Sequence, residues 1–153
     1  MFDETDRAMM RLALEEARKA LAEGEIPVGA VVAKDGLLLS AAHNTRERDA
    51  DPAGHAEINA LRAAAGVLGA WRLEGCALYV TLEPCAMCAG AIAQSRLSRV
   101  VYGAYDRRAG CCGSVYRITE DPALGYYVPA DGGLMAEECE ALLKGAMKDM
   151  RRG

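Results

Sequence analysis

No uninterrupted apolar run in this sequence approaches the roughly 20 residues that a membrane-spanning helix needs. Repeats, low-complexity tracts and linkers are missing as well, so the 153 residues are expected to form a single domain, 1–153, around one core. The first ten residues, MFDETDRAMM, are acidic and polar, which speaks against a signal peptide. Together these absences predict a cytoplasmic protein, whose thiols stay reduced. An excess of positive charge is also lacking. The formal net charge is −4 and the pI about 5.2, whereas a dedicated nucleic-acid module is usually basic. Only a local basic patch can override that balance.

What is present is a globular mixture, 52% hydrophobic and 26% charged. TDRAMMRLALEEARKALAEG carries apolar residues at helical spacing, with Thr5 or Asp6 as N-cap and Gly24 as stop. EIPVGAVVAKDGLLLSAAHN reads as two strands joined around Asp35-Gly36. Residues 43–54 form a polar loop, HAEINALRAAAGVLG a helix and CALYVTL a strand. Pro84 is expected in the first turn of a helix, CAMCAGAIAQSR, followed by a strand, SRVVYGAY, and a loop, 106–114. YYVPA reads as a short last strand and AEECEALLKGAMKDM as an amphipathic helix. Strands alternating with helices predict an α/β fold, one mixed sheet covered on both faces.

Six cysteines in a chain of this size read as metal ligands or packing rather than disulfides. VTLEPCAMCAG, 80–90, holds Cys85 and Cys88 at a spacing shared by redox pairs, zinc fingers and catalytic metal sites. Thirty residues earlier stands GHAEINA, with His55 and Glu57. Each pair opens a helix, and one strand joins the helices, so His55, Cys85 and Cys88 can converge as three ligands. A structural zinc is closed by four protein ligands, whereas a catalytic zinc keeps one position for water. No second C-x-x-C pair exists, although Cys111 or Cys112 remains open as a fourth ligand. Glu57 is suited to taking a proton from water at an open zinc position. Singly, each feature has an ordinary reading: buried thiols, a surface histidine, a first-turn carboxylate favoured by the helix dipole.

H-A-E followed by P-C-x-x-C is the zinc deaminase signature. With EIPVGAVV, AHN at 42–44, WRLEGCALYVTLEPCAMCAGA, SRVVYGAYD, the GCCGS loop and GGLMAEECEALL, the chain resembles the cytidine/deoxycytidylate deaminase superfamily from about position 6 to 150. Within it the likeness is to the bacterial tRNA-specific adenosine deaminases. The resemblance implies a three-layer α/β/α sandwich with a five-stranded mixed sheet, one Zn2+ per chain and a homodimer. It implies hydrolytic conversion of adenosine to inosine at the wobble position of a tRNA anticodon stem-loop. His55, Cys85 and Cys88 are then the zinc ligands, Glu57 the proton shuttle and Asn44 a hydrogen-bond partner of the base. Pro27 and Val28 become pocket walls, and Asp106 a contact to the nucleotide sugar. The histidine ligand separates the chain from free-cytidine deaminases, which carry a third cysteine.

The chain departs from the family pattern at Gly125-Tyr126-Tyr127, where an Asn-His pair is usual, and at Ala146-Met147, where two phenylalanines are. Those departures and the acidic pI motivate an alternative, deamination of a free purine base or nucleoside such as guanine. For RNA, Arg107, Arg108, Lys144, Lys148, Arg151 and Arg152 offer a phosphate-binding rim, or a solvated face and tail. Tyr105 and Tyr116 offer stacking surfaces for loop bases, or packing. A non-catalytic zinc or RNA module is the remaining class, against which Glu57 argues.

Overall fold

A computed structural model describes the backbone of residues 1–152 and the side chains of residues 1–146. The sheet begins with β1 (Gly29–Lys34) and β2 (Leu37–His43), a hairpin. Its turn is Asp35-Gly36, both at positive φ, as a tight two-residue turn requires. β3 (Cys76–Leu82) pairs antiparallel with β1, while β4 (Arg99–Ala104) and β5 (Ala130–Gly132) continue parallel to β3. The strand order is β2-β1-β3-β4-β5, a five-stranded mixed sheet.

Alternation along the strands divides the core in two. Ala30 and Val32 of β1, Leu78 and Val80 of β3, and Val100 of β4 face helices α2 (Ala56–Leu68) and α3 (Ala86–Gln94). Val31, Tyr79 and Val101 face the opposite way, onto α1 (Glu4–Ala22) and α4 (Ala136–Arg152). This is the expected three-layer α/β/α sandwich, and burying each Leu or Val contributes about 1.5–3 kcal/mol. Gly29 lets α1 lie close against the sheet, because a Cβ there would collide with the Ala13 carbonyl oxygen.

Three local expectations are corrected. The N-cap of α1 is Asp3 rather than Thr5 or Asp6; Asp6 sits at the third helical position and completes a capping box with it. Pro84 lies before α3 and not in its first turn, because Cys85 is the extended N-cap. The last strand is Ala130–Gly132 rather than YYVPA. Pro129 can only accept, and does so from Val100, while Tyr126 is drawn away to stack on Arg96. Two short 3-10 turns, Ile118–Glu120 and Pro122–Leu124, precede it and carry no apolar periodicity that would have announced them.

Candidate active site

His55 and Cys85 occupy equivalent places. Each is the N-cap of its helix, each has extended backbone (φ −78°, ψ 153° and φ −75°, ψ 179°), and neither side chain caps its own helix. The cap carbonyls accept the first helical bonds, from Asn59 at 3.0 Å and Ala89 at 2.8 Å, which leaves the imidazole and the thiol free to meet. Cys88 lies one turn into α3 and is fully buried.

The His55 Nδ1 atom is 3.6 Å from Cys85 Sγ and 3.5 Å from Cys88 Sγ. One ring nitrogen can direct a hydrogen at only one of two sulfurs, so the arrangement is better read as three donors facing a common centre. A zinc ion with Zn–S of about 2.3 Å and Zn–N of about 2.0 Å in tetrahedral geometry sets nitrogen and sulfur about 3.5 Å apart. The donor set therefore fits zinc. Among the described residues the cluster holds these three, and neither Cys111 nor Cys112 is part of it. Both are buried free thiols, and Cys111 Sγ bonds the Ala109 carbonyl. The Cys85 thiol is held down at about 3, first by the Cys88 thiol beside it and then by His55, against the effect of burial. The same contact and burial push Cys88 up, so the pair retains one proton that a metal ion would displace.

Glu57, in the first turn of α2, is 4% exposed. Burial pushes its carboxyl up to about 7, against its own backbone N–H and His55. A carboxyl at that value both accepts and donates a proton near neutral pH.

Asn44 follows the end of β2 and is buried. Its N–H donates to the Val28 carbonyl (3.1 Å), its Oδ1 accepts from the Arg46 N–H (3.0 Å), and its Nδ2 lies 3.4 Å from the Ile26 carbonyl. Pro27, Asp106, Arg107 and Arg108 come together in one groove of about 740 Å³, with Ile26, Leu82, Tyr105, Leu143 and Ala146. Val28, expected as a second pocket wall, does not line it: its side chain is buried in the core, and its carbonyl is taken up by the Asn44 N–H. Tyr105 packs edge-to-face on Tyr102 and is half exposed to the groove, whereas Tyr116 stands outside it, 67% exposed. Lys144 is exposed on α4, and the side chains of Met147, Lys148, Arg151 and Arg152 lie outside the described residues. The atypical Gly125-Tyr126-Tyr127 is far from the ligands: Tyr126 stacks 3.7 Å over Arg96, beyond the C-terminal end of α3, about 14 Å of helix rise from Cys85. The other departure, Ala146, lines the groove itself.

Two buried carboxylates that were not foreseen hold loops: Glu83 the one that carries Asp106 at this groove, and Glu25 the one that follows Asn44. Glu83 accepts hydrogen bonds from the N–H groups of Asp106 (3.1 Å), Cys112 (3.2 Å) and Ser114 (2.9 Å) and from the Ser114 hydroxyl. Glu25 accepts from the N–H groups of Glu47 (3.0 Å) and Arg48 (2.7 Å). The available signal was a lone acid directly flanking an apolar segment, at TL-E-PC and G-E-IPVG.

The family model of the cytidine and deoxycytidylate deaminase zinc-binding region matches residues 3–104, which include all three clustered donors and Glu57. The chain belongs to the cytidine and deoxycytidylate deaminase family. It is 40% identical over 147 residues to the tRNA-specific adenosine deaminase of Bacillus subtilis, covering 96% of this chain and 91% of that one. A solved structure from a study of A-to-I editing by tRNA:A34 deaminases at the wobble position of transfer RNA superposes with a TM-score of 0.86 at 40% identity, covering 89% and 99% of the two chains. The guanine deaminase of Nitrosomonas europaea superposes with a TM-score of 0.78 at 27% identity, covering 92% and 83%. Like these deaminases, the chain carries a five-stranded sheet with helices on both faces.

Proposed function

We propose that this deaminase hydrolyses adenosine to inosine at the wobble position of a tRNA anticodon. The observation that carries the reading is the His55–Cys85–Cys88 donor set, which has no fourth member among the described residues and stands with the buried carboxyl of Glu57. Zinc, when bound, supplies Lewis acidity that brings water toward ionisation near neutral pH. His55, Cys85 and Cys88 hold it. Glu57 accepts the proton released as the water oxygen bonds to C6 of adenine, and passes it to the exocyclic nitrogen. The C6–N bond then breaks, ammonia leaves and the base becomes hypoxanthine. Asn44 keeps the base in register through its side-chain amide. Pro27 and Leu82 wall the groove, Asp106 takes the ribose, and Arg107 and Arg108 meet phosphate at its rim.

The protein acts in the cytoplasm as a homodimer. Support for a second copy comes from an apolar groove between α2 and α3, lined by Ile58, Leu61, Ala65, Trp71, Leu73 and Ala91, with Trp71 58% exposed. A dimer mass by light scattering at micromolar concentration is the expected result.

Zinc-loaded protein incubated with an adenosine-containing anticodon stem-loop should yield inosine by mass spectrometry, while parallel free adenosine, guanine and cytidine stay unchanged. Product from a free base alone would keep the zinc chemistry and replace the substrate. A second reading, deamination of free guanine, draws on the Nitrosomonas europaea likeness and on Ala146, whose small side chain leaves the groove open.

A further inference from the structure

Asn44 lies between two residues that share one partner. The side-chain amide of Asn59 donates to the His43 carbonyl and to the Thr45 hydroxyl, each at 3.0 Å. Its two N–H groups therefore grip the chain on either side of Asn44. Asn59 belongs to the turn that starts at His55, since its own N–H donates to the His55 carbonyl, and Glu57 lies within that turn. One side chain thus ties the base-reading segment to the helical turn that carries a zinc ligand and the acid–base carboxyl.

The position is one where such a tie has something to do. β2 ends at His43, so the ladder to β1 stops there. Beyond it the backbone is held by single bonds, Asn44 N–H to Val28 and Thr45 N–H to Gly54 (2.9 Å). The His43 ring is held independently, between Glu16 (3.1 Å) and Glu23 (3.0 Å), so Asn59 is not needed to anchor that side chain. Nor does helix formation ask for it: asparagine is a poor helix former. The rest of the inner face of α2 is Ala56, Ala60, Leu61 and Ala64. A half-buried amide there serves the strand end rather than the core.

We propose that Asn59 is a positioning residue that fixes Asn44 relative to Glu57, so that the held base and the attacking water meet in line. This rests on the deaminase reading above. Misplacement of a reacting group by a fraction of an ångström costs rate rather than zinc or RNA affinity.

The test uses zinc-loaded wild type, Asn59→Ala, Asn59→Asp, Asn44→Ala and the Asn44→Ala/Asn59→Ala double variant. Zinc should remain at one per chain throughout. Asn59→Ala should lower kcat about tenfold to a hundredfold with KM for the stem-loop within about twofold. Asn59→Asp keeps the shape but loses both donors, and should be equally slow. In the Asn44→Ala background the Asn59 change should cost nothing more, because its effect passes through Asn44. Full additivity, or wild-type rate in Asn59→Asp, would overturn the proposal. Hydrogen exchange gives a readout independent of substrate: the amides of Asn44 and Thr45 should exchange faster in Asn59→Ala while Val31 and Val80 in the sheet do not change. Unaltered exchange at 44–45 overturns the proposal even if RNA proves to be the substrate. Should the wild type act only on a free purine, the tRNA reading fails and the same kinetic cycle is run on that purine.

Discussion

On the zinc side of the site two of the three donors cap a helix and the third lies one turn in, whereas on the proposed substrate side Asn44, Asp106, Arg107 and Arg108 sit on loops. His55 and Cys85 owe their placement to two parallel features of helix geometry: an extended cap residue, and a cap carbonyl that already accepts the first helical bond. The loops that carry Asn44, Asp106, Arg107 and Arg108 are held by Asn59, Glu25 and Glu83, which bind main-chain groups of His43, Glu47, Arg48, Asp106 and Ser114, 16 to 31 residues away in sequence. The first construction resists variation because the helix itself sets the geometry. The second allows the groove to be reshaped by changing residues outside the cluster of donors, and Ala146 of α4 is one such position on its wall.

Removing the zinc side should have the largest effect. Cys88→Ser should drop zinc from one per chain to near none and deamination to background, measured by metal analysis and inosine yield. Exchange protection of the Asp106 and Ser114 amides should survive, since Glu83 holds them without the metal. Loss of that protection along with the zinc would break the comparison, showing the two sides to be one cooperative unit. Next comes Glu57→Ala. Turnover should fall by about 10²–10⁴ while zinc stays bound, because the variant removes proton transfer and no ligand. A variant that kept its rate would make Glu57 a buried structural acid and return the site to a binding module.

Glu83→Gln probes the substrate side. The amide replaces one acceptor oxygen by an NH₂ group amid converging N–H donors, and a buried donor left without a partner costs about 1–3 kcal/mol. Urea unfolding should show that loss, zinc should be unaffected, and KM for the stem-loop should rise several-fold as the Asp106 loop loosens. A fall in kcat at constant KM would place Glu83 with the chemistry rather than with substrate binding.

The same contrast explains what the sequence disclosed. Helix caps are local, so H-A-E and P-C-x-x-C announced three ligands and a carboxyl within two short phrases. The strand alternation and the Asp35-Gly36 turn gave the sheet for the same reason. Glu83 and Asn59 act on backbone groups that no spacing rule connects to them, and each has a blander reading as a flanking charge or a helix-surface polar residue. The shift of the last strand to Ala130–Gly132 was hidden likewise, since it depends on Pro129 accepting from Val100 and on Tyr126 meeting Arg96 across the fold. Apolar YYV outweighed A-D-G on composition alone, yet the tertiary partners decided it.

The smallest effect on catalysis is expected at a carboxylate that serves neither side. Asp6 accepts from the Asp3 N–H (3.1 Å), the Tyr79 hydroxyl (2.8 Å) and Arg99 (2.9 Å), joining α1 to the sheet. Burial opposes its ionisation, but these donors together hold its pKa below the ordinary carboxylate range. A depressed folded-state pKa means that the ionised form stabilises the fold at every pH above the unfolded value of about 3.9, and that this stability drains away as pH falls through the lower folded value. Asp6→Asn removes that pH-linked part. Its turnover and zinc content at neutral pH should lie within about twofold of wild type. Its deficit in unfolding midpoint should be greatest near pH 7 and shrink steadily once pH drops below about 4. Zinc loss in acid affects both proteins alike and cancels in the difference. A deficit that stayed constant with pH would assign the contribution of Asp6 to shape and neutral hydrogen bonding. A deficit that grew on acidification would contradict the sign of the shift, and would require Asp6 to be the proton-holding member of its pair with Tyr79.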